Sequence, residues 1–306
     1  MSVPEEILDA FDERAYRLRM GLRPLDLEDW ILIDERFEAE RAEKHRLVDT
    51  RHDDVVAHLP GTEAAGAEIL DALASHLAHH FPDRFSRNGS RIDDFGAETS
   101  WDIAHLDLHP IDVAGRLVQE DVCLLTAPPE DPDALVFSAG SVCFPTRWAL
   151  REKIGHDMRG VHAPVPRYDD QLAAPVDSTL GRLRVDRPVW RLNWSLLDDP
   201  ALFQPGGHDR TEPLAGVTAE NAGTSVFLRV ERQTLRRFPG HGAVVFTIRV
   251  FHRPLDVVAG SEAATRLAGA VRALPDDVAG YKSVPAMADA ALAWLDTHGP
   301  DAHLTP

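Results

Sequence analysis

The sequence has few cysteines and no long apolar run, and each shortage excludes a class of protein. Cys123 and Cys143 are the only cysteines in 306 residues. Both lie in apolar, strand-like segments, which favours buried thiols over a disulfide or a metal site. No run approaches the roughly 18 apolar residues of a membrane span, and the amino terminus lacks the basic and apolar regions of a signal peptide. We therefore predict a cytoplasmic protein without a membrane segment.

A deficit of basic residues and the absence of nucleotide motifs exclude further functions. Fifty acidic against 32 basic residues give a formal net charge of −18, whereas nucleic-acid binding needs clustered Lys and Arg in excess. No Gly-x-Gly-x-x-Gly or Gly-Lys-Ser/Thr loop is present, and there is no Gly-x-Ser-x-Gly elbow for acyl transfer. Any redox chemistry would need reducing equivalents from a partner.

The order of segments predicts an α+β fold with helices at both ends. Residues 1–20 are predicted as an arm, and apolar spacing predicts helices over about 22–47 and 62–80. Strands are predicted at 122–126, 135–143, 189–197, 225–237 and 244–252, with helices at 148–154, 168–183, 262–273 and 285–297 and a long surface loop at 200–224. Two strands, helices and three strands is the order of PAS-type domains. We therefore expect a PAS-like antiparallel sheet whose helices form a pocket.

Two groups of histidines have spacings that occur in metal sites, but neither pattern is specific. The first is His76, His79 and His80, and the second is His105 with His109. The first group ends a predicted helix, where histidines favour the dipole without binding anything. The second lacks the general-base glutamate of metalloproteases. We expect neither group to hold a metal.

The segment from Cys143 to Tyr168 contains the strongest candidate for a cofactor ligand. His162 lies beside Pro164 and Pro166, which fix φ and can hold an imidazole in place. The surrounding side chains suit a flat porphyrin, with apolar walls from Phe144, Trp148 and Val165 and propionate partners in Arg147 and Lys153. We therefore predict His162 as an axial ligand.

Two other interpretations of this segment stay open. Cys143 is the alternative axial ligand, although a thiolate needs nearby donors and the setting of Cys143 is apolar. His162 can also be a core or turn residue, because haem ligation by a histidine leaves no specific local consensus.

The predicted strand 225–237 carries an unusual number of charges. Its two faces hold Arg229, Glu231 and Gln233 on one side and Arg232, Thr234 and Arg236 on the other. For Arg236 and Arg237 a surface salt-bridge ladder is the ordinary explanation. A carboxylate between two arginines on a central strand is costly to bury without a task, so Glu231 is predicted to orient a ligand. Arg191 and Asn193 would lie within reach if the neighbouring strands pair.

Six segments together resemble the haem-dependent oxidative N-demethylases, over about residues 20–275. They are Gln119–Leu125, Gly140–Trp148, Lys153–Gly155, His162–Tyr168, Arg191–Trp194 and Arg229–Pro239. The resemblance implies a PAS-like fold that holds a b-type haem through a histidine, here His162. It also implies oxidation of a secondary methylated amine such as dimethylamine by O₂, with electrons from a separate flavin and iron–sulfur reductase component.

The resemblance also implies an active-site polar set and a division of the chain. It points to Tyr168, Glu231, Arg229 and Arg232 as catalytic residues and leaves open which arginine faces the haem. We predict an arm at 1–20, a haem-binding catalytic domain with an amino-terminal helical layer at 21–275, and a carboxy-terminal helix and tail at 276–306. A haem-PAS gas or redox sensor without turnover is the alternative, and a structural subunit is a third possibility.

Overall fold

A seven-stranded antiparallel sheet organises the fold. The computed structural model describes residues 10–11, 19–128, 131, 134–207 and 211–300. The strands of the large sheet are β1 (Arg23–Pro24), β2 (Val56–His58), β6 (Asp121–Thr126), β7 (Val136–Ser141), β8 (Val189–Leu197), β9 (Phe227–Arg237) and β10 (Val244–Pro254). They lie in the order β1-β8-β9-β10-β6-β7-β2. A smaller sheet contains β3 (Phe85–Asn88), β4 (Arg91–Asp94) and β5 (Thr99–Asp102).

Helices cover the large sheet and its ends. They are α1 (Phe37–Val55), α2 (Glu63–His80), α3 (Pro110–Leu117), α4 (Met158–His162), α5 (Tyr168–Gln171), α6 (Ala173–Arg182), α7 (Ala222–Ser225), α8 (Glu262–Arg272), α9 (Asp276–Tyr281) and α10 (Ala288–Thr297). Helices α2 and α3 share one apolar core with β6, and α8 and α10 share another with β8 and β9. Among the described residues, no helix is both long enough and apolar enough to cross a bilayer.

The central strands are buried on both faces, and this explains their nearly continuous apolar sequences. In β6, Val122 and Leu124 pack into the core beneath α2 and α3. Cys123 and Leu125 point to the opposite face and line a cavity. Because side chains alternate along a strand, each strand serves a core and the cavity at once.

A layer of buried ion pairs joins α1 to the sheet. The Arg249 guanidinium has no exposed surface and bonds the carboxylates of Glu40 and Asp34, each at 2.8 Å. The Lys44 ammonium donates to the carbonyls of Val118, at 3.1 Å, and of Glu120. Buried charges of this kind are tolerated because each has a partner.

The predicted α+β class and the five central strands are confirmed, with two strands, helices and three strands in that order. The helix predicted over 22–47 is wrong in its start. Asp26 caps a short 3-10 helix, Leu27–Asp29, and a turn in which the Asp34 carboxylate accepts from the Arg36 N–H delays α1 until Phe37. The small sheet and α3 were not predicted. Most of the predicted arm at 1–20 lies outside the described residues.

Candidate functional site

A cavity of about 690 Å³ lies between the large sheet, α4 to α6 and the end of α9. This volume is in the range of small-molecule and cofactor sites. The predicted site residues in its wall are Arg147, Trp148, Lys153, His162, Val165, Tyr168, Asn193, Glu231 and Gln233. The cavity therefore brings together residues that are up to 86 positions apart in the sequence.

His162 lies in this wall at the end of α4, with one ring nitrogen engaged by the backbone. Its Nδ1 is 2.8 Å from the carbonyl oxygen of Met158. A carbonyl only accepts, so Nδ1 carries the proton and Nε2 keeps a lone pair. Burial lowers the pKa of His162, and Lys153 and Arg191 lower it further. The imidazole is therefore neutral at neutral pH, as a metal ligand must be.

The Tyr168 ring stacks on His162, with 4.4 Å between the ring centroids and 11° between the planes. Its hydroxyl is buried and has no hydrogen-bond partner among the described residues. Burial raises the pKa of Tyr168, and the carboxylate of Asp177 adds to this effect. A buried hydroxyl without a partner is costly, which makes this one available to a ligand.

Glu231 is held in the opposite wall by three neutral donors. Thr146 donates its hydroxyl to Oε1, while the amides of Gln233 and Asn193 donate to Oε2 at 2.8 Å and 3.3 Å. The side chain is only 7% exposed. None of the ion pairs formed within the described part of the chain includes Glu231. Within the described residues, Glu231 is therefore hydrogen-bonded but has no cation in contact.

The register of β8 and β9 explains how Glu231 meets its amide donors. Asn193 faces Glu231 and Arg191 faces Gln233 across the two antiparallel strands. Directly opposed residues in such a pair have neighbouring side chains. The predicted division of β9 into two faces therefore agrees with the cavity wall, which contains Glu231 and Gln233 but not Arg232.

Three predicted site residues lie outside the cavity wall. Arg229 is fully buried and donates to the carbonyls of Phe144 and, at 3.2 Å, of Leu202. Phe144 is buried in the core behind the cavity. Arg232, on the other face of β9, donates to the Asp29 carbonyl at 2.6 Å. Neither arginine lines the cavity, because both are used to bind backbone carbonyls of neighbouring segments.

Arg229 nevertheless contributes to the position of Thr146. The Asp121 carboxylate accepts from the backbone N–H groups of Cys143, at 2.8 Å, and of Phe144, at 3.0 Å. Arg229 binds the Phe144 carbonyl from the other side. The turn that follows β7 is thus fixed at both polar groups, two residues before the hydroxyl that contacts Glu231.

The Cys143 thiol is buried in the apolar core and is absent from the cavity wall. Burial raises its pKa to about 12. Cys123 does line the cavity, but burial and Asp121 raise its pKa well above the ordinary value. Both cysteines are therefore thiols at neutral pH, which is unfavourable for binding a metal.

Lys282 was not predicted, although it lies at the end of α9 in the cavity wall. Its ammonium donates to the backbone carbonyl of Trp194 and to Oδ1 of Asn193, the latter at 3.4 Å. Burial lowers the pKa of Lys282 to about 8, while Glu231 raises it and Arg191 lowers it. The cavity includes residues on both sides of the predicted domain boundary at 275.

The cavity wall is rich in positive charge, in contrast to the protein as a whole. The wall contains five lysine and arginine side chains but one carboxylate. The basic residues are Arg19, Arg147, Lys153, Arg191 and Lys282, and the acidic residue is Glu231. Arg147 also bonds Asp198 at 2.7 Å. Within an acidic protein, such a wall favours a ligand that carries carboxylates.

A model of the family described as haem-dependent oxidative N-demethylase, alpha subunit-like, matches residues 21–292. The chain belongs to this family. The match confirms the resemblance found in the sequence, and it extends through α9 to include Lys282. The family is named for a haem-dependent oxidative demethylation and for an alpha subunit, which implies a partner chain.

The two histidine groups noted in the sequence, His76 with His79 and His80, and His105 with His109, do not line the cavity. In the part of the chain that the structure describes, the group with metal-like spacing is His58, Glu63 and His109, which includes only one predicted histidine. His109 uses both ring nitrogens, because Nδ1 accepts from the Ile111 N–H and Nε2 contacts the Thr62 hydroxyl, each at 3.2 Å. This histidine caps α3, and its nitrogens are occupied in that role.

Proposed function

We propose that the chain is the haem-binding subunit of an oxidative N-demethylase that acts on a secondary methylated amine. One observation carries the proposal. A single cavity joins a neutral histidine, His162, to a buried carboxylate, Glu231, that no cation contacts within the described residues. The neutral histidine is suited to bind iron, and the carboxylate is suited to bind an ammonium group.

The types of side chain that line the cavity are those that bind a b-type haem. His162 lines the cavity, and because its Nδ1 is bound to Met158, its Nε2 lone pair is the one proposed to bind the iron. Arg147 and Lys153, in the same segment of the wall, are the proposed partners of the haem carboxylates. Leucine, valine and phenylalanine side chains from β6, β10 and α6 supply the apolar surface that a flat macrocycle needs.

When bound, the haem supplies O₂ activation. In the overall reaction, one oxygen atom enters a C–H bond of the N-methyl group and the other leaves as water, with two electrons and two protons consumed. The hydroxylated methyl then leaves nitrogen as formaldehyde, and the smaller amine is released. We propose that the electrons come from a separate reductase component with flavin and iron–sulfur centres, because the sequence has no nucleotide-binding loop of its own.

Residues of the chain itself are proposed to bind and orient the substrate and to supply a proton. Glu231, held by Thr146, Asn193 and Gln233, is proposed to bind the substrate ammonium and to fix its N-methyl group within the cavity. The Tyr168 hydroxyl, which lacks a partner among the described residues, is proposed to donate a hydrogen bond or a proton to the bound ligand. Its ring also holds the His162 imidazole by stacking.

The fold is proposed to be PAS-like. The five central strands follow the predicted pattern of two strands, helices and three strands, and the cavity lies beside the helices between β7 and β8. We propose that α1 to α3 and α8 to α10 are additions around this unit. We also propose a cytoplasmic location, in line with the expectation from the sequence.

Formaldehyde release is the test of this function. Haem-loaded protein supplied with a flavin reductase, O₂ and a panel of secondary methylamines should release formaldehyde in step with loss of amine. His162→Ala serves as the blank. A haem-loaded, reducible protein that binds O₂ but yields no formaldehyde from any amine would instead be a gas or redox sensor.

A further inference from the structure

Lysine is rare in this chain and is confined to enclosed positions. The three lysines are Lys44, Lys153 and Lys282, and all other basic residues of fixed charge are arginines. Lys44 is 1% exposed and binds backbone carbonyls beneath α1. Lys153 and Lys282 both line the cavity. The ammonium of a lysine is a compact point charge, whereas the guanidinium of an arginine is planar and delocalised. Lysine at these positions therefore provides a single localised cation.

The two cavity lysines have different contacts. Lys153 donates to the carbonyl of Val161 at 2.6 Å, and its charge acts on His162. Lys282 bonds Asn193, and the charges that act on it are Glu231 and Arg191. A carboxylate of a haem bound at His162 can therefore be met by Lys153, which leaves Lys282 beside Glu231.

The Lys282 ammonium is fixed and has capacity for a further acceptor. It donates to the Trp194 carbonyl and to Asn193, and it lies 5.1 Å from the centroid of the Trp194 ring. An ammonium has three N–H donors. Those two oxygens are its hydrogen-bond acceptors within the described part of the chain, so one donor is left.

A fixed cation beside Glu231 is unfavourable for a simple methylammonium substrate. The substrate and Lys282 would carry like charges within one partly desolvated cavity, which weakens binding. A substrate that adds a carboxylate near its ammonium removes this conflict, because each of its charges then faces the opposite charge.

Glu231 and Lys282 contact the same side chain, which brings the two groups near enough for one small substrate. One side-chain amide, that of Asn193, separates them: its Nδ2 is 3.3 Å from Glu231 Oε2, and its Oδ1 is 3.4 Å from Lys282 Nζ. An α-amino acid carries its ammonium and carboxylate on one carbon. With a hydrogen bond of about 2.8 Å at each end, it reaches across a single amide.

On the basis of the proposed function, we propose that the substrate is an N-methyl amino acid, whose carboxylate binds Lys282 while its methylammonium binds Glu231. Lys282 is then the residue that selects a zwitterion over a simple amine. The inference names the substrate class of the same site.

The test compares two probes with the same reacting group, dimethylamine and N-methylglycine. Binding to haem-loaded protein is measured by calorimetry, independently of turnover. Wild-type protein should bind N-methylglycine about 10- to 100-fold more tightly, the size expected of one charge-assisted hydrogen bond. Lys282→Met should close most of this gap, and Lys282→Arg should restore part of it.

Equal affinity of the wild-type protein for the two probes would overturn the proposal, and this comparison needs no variant. An equal loss of affinity for both probes in Lys282→Met would also overturn it. Loss of haem from Lys282→Met, with no preference in the wild type, would assign the lysine to a haem carboxylate. Demethylation of dimethylamine without preference for N-methylglycine would sink this inference alone, whereas no formaldehyde from either probe would sink the proposed function.

Discussion

Replacing Glu231 with glutamine tests the assignment of the ammonium site with little change in shape. The amide can adopt the orientation in which its oxygen accepts from Asn193 and Gln233, while its nitrogen donates to the Thr146 hydroxyl. All three contacts are thereby kept, so the fold and haem content should be retained. What the substitution removes is the negative charge.

The expected loss of affinity follows from that charge. Removing one partner of a buried, hydrogen-bonded charge pair costs about 2 to 5 kcal/mol, or about 30- to 4,000-fold in Kd. Dimethylamine should therefore bind Glu231→Gln at least about 30-fold more weakly, measured by calorimetry on samples of equal haem content. Glu28→Gln, at an exposed position, is the control. Unchanged affinity in Glu231→Gln would refute the role of this carboxylate.

Three further predictions concern stability, proton donation and pH. Arg249→Ala removes the fully buried cation that bonds both Glu40 and Asp34 and should lower the free energy of unfolding by about 3–5 kcal/mol in urea denaturation. In contrast, Arg272→Ala, in an exposed pair, should lower it by less than about 1 kcal/mol. Tyr168→Phe should keep haem, because the ring stack remains, but should reduce formaldehyde release by about 10²-fold. Since burial lowers the pKa of Lys282 to about 8, N-methylglycine affinity should fall as pH rises through about 8, whereas dimethylamine affinity should not fall there, because loss of the Lys282 charge removes a repulsion.

The strands around the cavity were predictable because each is a short apolar or alternating run, and β9 carries a period of two. Strand β9 places Glu231 and Gln233 on one face and Arg232 on the other, and the structure has the same division. His162 was proposed from its prolines and its aromatic neighbours, and the structure places it in the cavity wall. These signals are local in the sequence. They predict the structure correctly when the strand or turn is buried on the side that the pattern indicates.

The site residues that were missed depend on contacts distant in the sequence. Lys282 bonds Asn193, 89 residues away, and its short helix carries no apolar period. The only signal for it is the rarity of lysine in the chain. The sequence left open which of Arg229 and Arg232 faces the cavity, and neither does, because the bond of Arg229 to the Phe144 carbonyl depends on how the turn after β7 packs. No periodicity reports such packing.

The start of α1 and the presence of α3 show two kinds of error. Trp30 and Ile31 have helical spacing with later apolar residues but are buried outside any helix, since tertiary packing overrides propensity. Helix α3 did carry a signal, because His109 precedes Pro110 at the first helical position. Its eight residues are too few for apolar periodicity to stand out.

The absorption spectrum of the purified protein, before and after dithionite, tests the central claim most directly. The account predicts a Soret band in the wild-type protein, its loss or a change of spin state in His162→Ala, and a nearly unchanged spectrum in Cys143→Ala. The reason is that His162, alone among the histidines that the structure describes, lines the cavity, and its Nε2 keeps a lone pair. A wild-type protein that stays colourless when expressed with ample haem, or a band abolished by Cys143→Ala alone, would contradict it.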